Sequence, residues 1–304
     1  MRRGSRLHLN GSFAMTDSDR TPWTVQRVLR WAAEDFERRG LDSPRLDAEL
    51  LLGHATGLDR IELILHAEKP LDADELERFR ELIRRRRAGE PIAYVLGERE
   101  FYGMTFEVTA DVLIPRPDTE TLVEVALERT RERSLYGRLL DLCTGSGCVA
   151  VAFARHRPTW KVTGADVSER AIALARRNAA RSGAIWGVGF VAGDLFEPVR
   201  GRRHECIAAN PPYIPSGDIA GLMRDVRDFE PRLALDGGTD GLDFVRRIVE
   251  QSREHLTPGG LLALEVGYDQ AARAGELFEA SGFSELERAR DYGGHERVVS
   301  GRLL

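Results

Sequence analysis

From residue 138 to residue 266 the chain alternates short apolar runs with helical stretches, and this alternation constrains the fold more than any other feature. Leu139-Leu140-Asp141-Leu142 is one run, and residues 161–165, 190–191, 206–209 and 261–266 are the others. Helical patterns begin near Val149 and cover residues 169–182 and 242–255 between them. Runs this short and this apolar suit strands covered on both faces, and strands separated by helices pair through crossovers. The prediction is an α/β fold with a mostly parallel doubly wound sheet. Residues 286–290 and 296–302 flank Asp291-Tyr292-Gly293-Gly294-His295, which predicts a C-terminal antiparallel pair.

The residues before this region read differently. Val25, Val28, Leu29 and Ala32 recur at helix spacing behind Thr24, an N-cap candidate. A second helix opens at Asp47 and ends near Gly53 or Gly57, and a third runs from about Asp72 through Arg87. Together they predict a small helical domain with its own core. Arg84 to Arg87 closes the last helix, where cations complement the helix dipole; the alternative is a contact patch for an acidic protein or RNA. Residues 101–108 and 112–114 suit two short strands, and Asp118 or Thr119 suits the cap of the helix that follows. The expected domains are a disordered tail over 1–20, with Met15 an alternative start, a helical substrate-recognition domain over 21–95, a β-hairpin and linker over 96–120, and a catalytic domain over 121–304.

Composition excludes several classes. With 304 residues, 42% hydrophobic and 31% charged, the chain is of ordinary globular type. Its net charge of −5 argues against sequence-independent nucleic-acid binding. Cys143, Cys148 and Cys206 form neither a disulfide framework nor a metal-binding pair, so reduced core thiols and no metal are expected. No apolar run reaches membrane-spanning length and no h-region follows the basic start, so a cytoplasmic protein without membrane partners is expected.

Two sites carry chemistry. Cys143-Thr144-Gly145-Ser146-Gly147 lies where a strand gives way to a helix, a place where small residues let a ligand approach the backbone. Asp166 closes the next strand about 20 residues beyond the loop, where a carboxylate accepts from ribose hydroxyls. Asp194, followed by Leu195, closes the third strand, where it could accept from an adenine amino group. The pattern favours an adenosyl ligand. A dinucleotide stays open here, since Ala150 occupies the third position of GxGxxG as a permitted variant.

The second site is Asn210-Pro211-Pro212-Tyr213, after the fourth run. Two prolines fix two φ angles and remove two backbone donors, so the segment presents acceptors, including the Asn210 side-chain oxygen. Tyr213 adds a flat face. Acceptors plus a stacking ring suit a planar NH₂ group, either a carboxamide or an aromatic amine. Acceptors on its hydrogens raise electron density on an otherwise delocalised nitrogen and aim its lone pair. Nitrogen methylation from S-adenosylmethionine is the reaction expected, with Asn210, Pro211 and Tyr213 catalytic and Pro212 joining them in substrate binding.

From about Trp23 to its end the sequence resembles the HemK/PrmC family of peptide chain release factor glutamine N5-methyltransferases. The likeness is carried by Phe101-Tyr102-Gly103, the run Leu113 to Glu120, the glycine loop, Asn210 to Tyr213, and Arg290-Asp291-Tyr292-Gly293 with Glu296-Arg297. It implies a class I methyltransferase sheet behind a helical domain, acting on the glutamine of the Gly-Gly-Gln loop of class I release factors. It further implies that Thr144 to Gly147 and Asp166 hold S-adenosylmethionine, that Asp194 and Leu195 flank adenine, and that Asn210 to Tyr213 bind the glutamine amide. Asn210 also reaches the cofactor side on this reading. Two positions depart from the family. Cys143 replaces a frequent glycine, as in a sister branch acting on a large-subunit ribosomal protein, and Leu195 replaces a tryptophan found in some relatives. Residues 116–120 and 291–293 look more like the release-factor branch. Competing readings are the ribosomal-protein branch, an adenine-N6 nucleic-acid methyltransferase and a non-catalytic cofactor-binding module. A monomer without stable nucleic-acid binding is expected.

Overall fold

A computed structural model describes residues 22–132 and 135–303. The expected tail and the alternative start at Met15 lie outside them. The chain divides into two units, one ending at Ala88 and the other beginning at Gly89.

The first unit holds four helices: α1 (Val25–Arg38), α2 (Pro44–Thr56), α3 (Arg60–Leu65) and α4 (Ala73–Arg87). Thr24 caps α1, its hydroxyl accepting from the Arg27 amide at 3.4 Å. Helix α2 starts three residues before Asp47, because Pro44 is tolerated in a first turn. It runs through Gly53 and stops at Gly57, where φ is +74°. Gly53 stays inside because a Cβ there would sit 2.8 Å from the Leu58 carbonyl oxygen. Helix α3 was not expected. Six residues hold too little periodicity to read, and its signal is the reciprocal capping box of Asp59 and Glu62. Val28, Phe36, Leu51, Leu52, Phe79 and Ile83 are buried and supply the core.

The arginine run that ends α4 is largely spent inside this unit. Arg86 and Asp47 are both buried, with Nε to Oδ2 at 2.7 Å. Arg87 pairs with Asp35 at 2.7 Å and lies 5.2 Å from the Trp31 ring centre, while Arg84 bonds Glu81. A buried pair broken from one side strands the other charge, which typically costs about 3–5 kcal/mol. Asp47→Ala should therefore destabilise the helical unit by an amount in that range. Urea unfolding followed by circular dichroism measures it, and a loss below about 1 kcal/mol would show that Arg86 finds water or another partner.

The second unit begins with α5 (Ile92–Leu96) and a hairpin of β1 (Glu98–Phe101) and β2 (Met104–Glu107). This corrects the expected strands at 101–108 and 112–114. Tyr102 and Gly103 both have positive φ, 52° and 69°, the condition for a tight two-residue hairpin turn. A tyrosine in that position gives no turn signal. Residues 112–114 lie outside any strand and are fastened instead by side chains. Then come α6 (Glu120–Arg129), β3 (Arg138–Leu142), α7 (Cys148–His156), β4 (Lys161–Asp166), α8 (Glu169–Arg181), β5 (Val188–Ala192) and β6 (His204–Ala209). The chain closes with α9 (Arg224–Phe229), α10 (Asp243–His255), β7 (Leu256–Glu265), α11 (Ala271–Ala280), β8 (Phe283–Arg290) and β9 (Glu296–Leu303).

The large sheet has the order β5-β4-β3-β6-β7-β9-β8, parallel through β7, with β9 antiparallel to both neighbours. Successive strand residues face opposite layers. Leu139, Cys206, Ala208 and Leu261 pack with α6, α7 and α8, whereas Leu140, Ile207, Ala209 and Leu262 pack with α10 and α11. This is the doubly wound α/β sheet that the sequence predicts, with its antiparallel C-terminal pair. Among the described residues no helix is long and apolar enough to cross a membrane.

Candidate active site

The chain moves outward from β3 to β4 and β5, then crosses back to place β6 on the other side of β3. At such a reversal the loops leaving two adjacent strands diverge and open a crevice. Leu142 lies opposite Ala209 in the parallel β3–β6 register. The glycine loop and Asn210-Pro211-Pro212-Tyr213 therefore leave the sheet at one level, side by side.

A cavity of about 290 Å³ opens nearby, with Cys143, Gly145, Asp166, Asp194, Leu195 and Pro212 in its wall. Thr144, Ser146 and Gly147 build the structure that supports it. The Thr144 hydroxyl donates to Asp141 Oδ2 at 2.5 Å, and the Ala150 amide donates to the same oxygen at 3.1 Å. The Ser146 carbonyl accepts from Asn178 Nδ2 at 2.9 Å. Gly147 opens α7 at φ +80°, and a Cβ there would press on Ala175 at 3.0 Å and Phe190 at 3.1 Å. Cys143 also has positive φ, 56°. Burial and the nearby Asp166 and Asp141 carboxylates push its thiol well above the usual range.

Asp166 ends β4 with each oxygen on a backbone amide: Oδ2 accepts from Gly145 and Oδ1 from Ser168, both at 2.9 Å. Burial raises its pKa despite those bonds. Asp194 is more open, and its Oδ2 accepts from Arg247 Nη2 of α10 at 2.5 Å. Leu195 is buried beside it with φ +47°.

Pro211 and Pro212 are buried, and Asn210 and Tyr213 half-buried. Asn210 Nδ2 donates to Thr119 Oγ1 at 3.1 Å. The Tyr213 hydroxyl donates to Glu265 Oε1 at 3.4 Å, and its carbonyl accepts from Gln270 Nε2 at 2.9 Å. Asp118 and Thr119 do not cap α6. A 3₁₀ turn, Pro117–Thr119, leads into that helix and frees both side chains for other partners. Asp118 meets Arg297 at 3.4 Å, and Glu120 accepts from the Tyr102 amide at 2.8 Å. Upstream, the Tyr94 hydroxyl donates to the Val112 carbonyl at 2.5 Å, and Glu230 holds both the Ile114 amide and Arg116. Sequence reasoning missed Thr119 as a partner of Asn210, and missed Glu265 and Asp141 altogether. The available signal was a lone acid within an apolar strand, a residue type rarely buried without a task.

Residues 27–97 match the family model described as PrmC N-terminal domain, and residues 118–223 match that described as Methyltransferase small domain. A release factor glutamine methyltransferase from Geobacter sulfurreducens is 46% identical over 281 residues, covering 92% of this chain and 97% of its own. One from Rhodopirellula baltica is 40% identical over 293 residues, covering 94% and 98%. Among solved structures, the hMettl16 catalytic domain in complex with MAT2A 3'UTR hairpin 6 gives a TM-score of 0.52 at 17% identity, covering 70% of this chain and 79% of that one. That last likeness concerns the fold alone.

Asp141 yields a prediction about pH. Burial pushes its carboxyl from 3.8 up to about 7, so between those values the folded protein holds a proton that the unfolded chain releases. Its contribution to stability is complete below the lower value and is lost as pH rises through about 7. Asp141→Asn keeps one acceptor and does not titrate. The melting temperature of wild type should fall relative to Asp141→Asn between about pH 5 and about pH 8, and a constant difference by calorimetry would refute the assignment.

Proposed function

This chain belongs to the release factor glutamine methyltransferase family, and from that membership and the site we infer the reaction: transfer of a methyl group from S-adenosylmethionine to the side-chain amide nitrogen of the glutamine in the Gly-Gly-Gln motif of class I release factors. The observation that carries it is the β3–β6 register, which sets Asn210 to Tyr213 beside the cavity wall of Cys143, Gly145 and Asp166. Apolar lining with acids at successive strand ends suits a ligand that carries ribose hydroxyls and an aminated ring. When bound, S-adenosylmethionine supplies the electrophilic methyl.

The residues then divide the work. Asp166 accepts from the ribose, Leu195 covers one side of the base and Asp194 lies at its rim. Backbone amides fix both Asp166 oxygens in place, leaving their remaining lone pairs for the ligand. Asn210 accepts from the glutamine NH₂ through Oδ1, because its Nδ2 is committed to Thr119. Pro211 and Pro212 hold that acceptor in an extended segment whose proline nitrogens carry no donors. Tyr213 backs the flat face of the amide. Cys143 does not move the assignment to the ribosomal-protein branch, since relatives at 46% and 40% identity over most of the chain act on release factors by name. The helical unit serves substrate recognition, and the enzyme works in the cytoplasm as a monomer.

The test is intact-mass measurement of a class I release factor after incubation with enzyme and S-adenosylmethionine, with peptide mapping of the methyl group. One added methyl on the Gly-Gly-Gln glutamine is expected. A ribosomal protein, DNA and RNA serve as parallel substrates, and methylation of any of these instead would overturn the reading. Asn210→Ala should lower the rate about 10²-fold, the scale of losing one preorganised polar contact to a reacting group. Asp166→Ala should weaken S-adenosylmethionine binding by about 10-fold or more in calorimetry, the scale of a lost charge-assisted hydrogen bond.

A further inference from the structure

Glu265 ends β7, the strand beside β6, one residue past the Leu264–Ala209 pairing. It is 1% exposed, and burial pushes its carboxyl up to about 7. Two hydroxyls face it. Tyr213 donates to Oε1 at 3.4 Å and Thr119 hydrogen bonds the same carboxyl, while Oε2 has no partner. An apolar side chain would avoid the desolvation cost of this position, so the carboxyl calls for a reason.

The reason lies in the symmetry of an asparagine. Its carboxamide has two ends of nearly equal shape, and either can face a ligand unless a partner fixes the other. The partner of Asn210 is Thr119, a hydroxyl that can donate or accept. Only when the hydroxyl proton is committed elsewhere must Thr119 Oγ1 accept from Asn210 Nδ2. An ionised carboxyl, which can only accept, takes that proton. We propose that Glu265 sets the hydrogen-bond polarity of the amide site, acting through Thr119 to hold Asn210 with its oxygen toward the substrate. It is a positioning residue, and the proposal rests on the reading that Asn210 accepts from the glutamine amide. The charged and titratable groups around it come from three elements: Arg297 on β9, Asp118 in the turn before α6 and Tyr213 after β6. Arg297 favours the ionised carboxyl and Asp118 opposes it.

A glutamate in place of the substrate glutamine tests the polarity directly, because a carboxylate offers only acceptors and needs the Asn210 amide turned round. The full-length chain is compared with Glu265→Gln, Thr119→Val and Thr119→Ser. For each, dissociation constants are measured for a class I release factor and for the same factor carrying glutamate at the methylated position. Wild type should prefer glutamine. Glu265→Gln and Thr119→Val should each narrow that preference by about tenfold, the scale of one hydrogen bond, with the S-adenosylmethionine dissociation constant changed less than about twofold. Thr119→Ser should restore the preference lost in Thr119→Val. Methylation by the wild type, measured first, checks the underlying reading separately. An unchanged preference in both variants, or a loss confined to Glu265→Gln, overturns the inference, because Thr119→Val breaks the same link and leaves the carboxyl in place.

Discussion

The parallel pairing of β3 with β6 is the constraint on which the site depends. Strands adjacent in space but separated in sequence by two crossovers bring Cys143 and Asn210 out of the sheet together. A shift of one residue in that register would turn each side chain of one strand to the opposite layer, exchanging the faces that α7 and α10 cover. The register is thus guarded by the whole core. Neither loop needs to recognise the other, because the buried strands have already set their separation.

Around this fixed pair, the segment from Val112 to Glu120 acts as a strap. It has no ladder of its own, and its backbone polar groups must find partners elsewhere. Tyr94, Glu230, Arg297 and the Tyr102 amide supply side-chain or backbone partners along it, and Thr119 delivers the segment to Asn210. The Asp291 and Arg297 of the C-terminal motif belong to the same construction: buried Asp291 holds Arg297 at 3.0 Å, and Arg297 in turn meets Asp118. Motifs far apart in sequence therefore secure one tetrapeptide.

What could be read from the sequence follows from how local each signal is. The parallel sheet was legible because short apolar runs and helical periods alternate within windows of a few residues. The glycine loop, Asp166 and Asn210 to Tyr213 were legible for the same reason: each is a compact cluster at a strand end. Helix α3 and the Tyr102-Gly103 turn were missed because one is too short for periodicity and the other places a tyrosine where glycine or asparagine is customary. Thr119 and Glu265 were missed as working parts for a deeper reason. Their meaning arises from contacts across 91 and 52 residues of chain, and no local pattern encodes such a distance.

Cys143 shows what backbone geometry does to the information a residue carries. Its left-handed conformation favours glycine, its side chain has room only for something small, and neighbouring carboxylates suppress the thiolate. The position thus selects for size and backbone tolerance and is indifferent to sulfur chemistry. Glycine and cysteine can replace one another there by neutral drift, without passing through a state that alters which protein is modified. A residue beside a reaction centre can for this reason be a poor lineage marker, while Thr119, hidden behind it, is tied to the polarity of the amide the enzyme must hold.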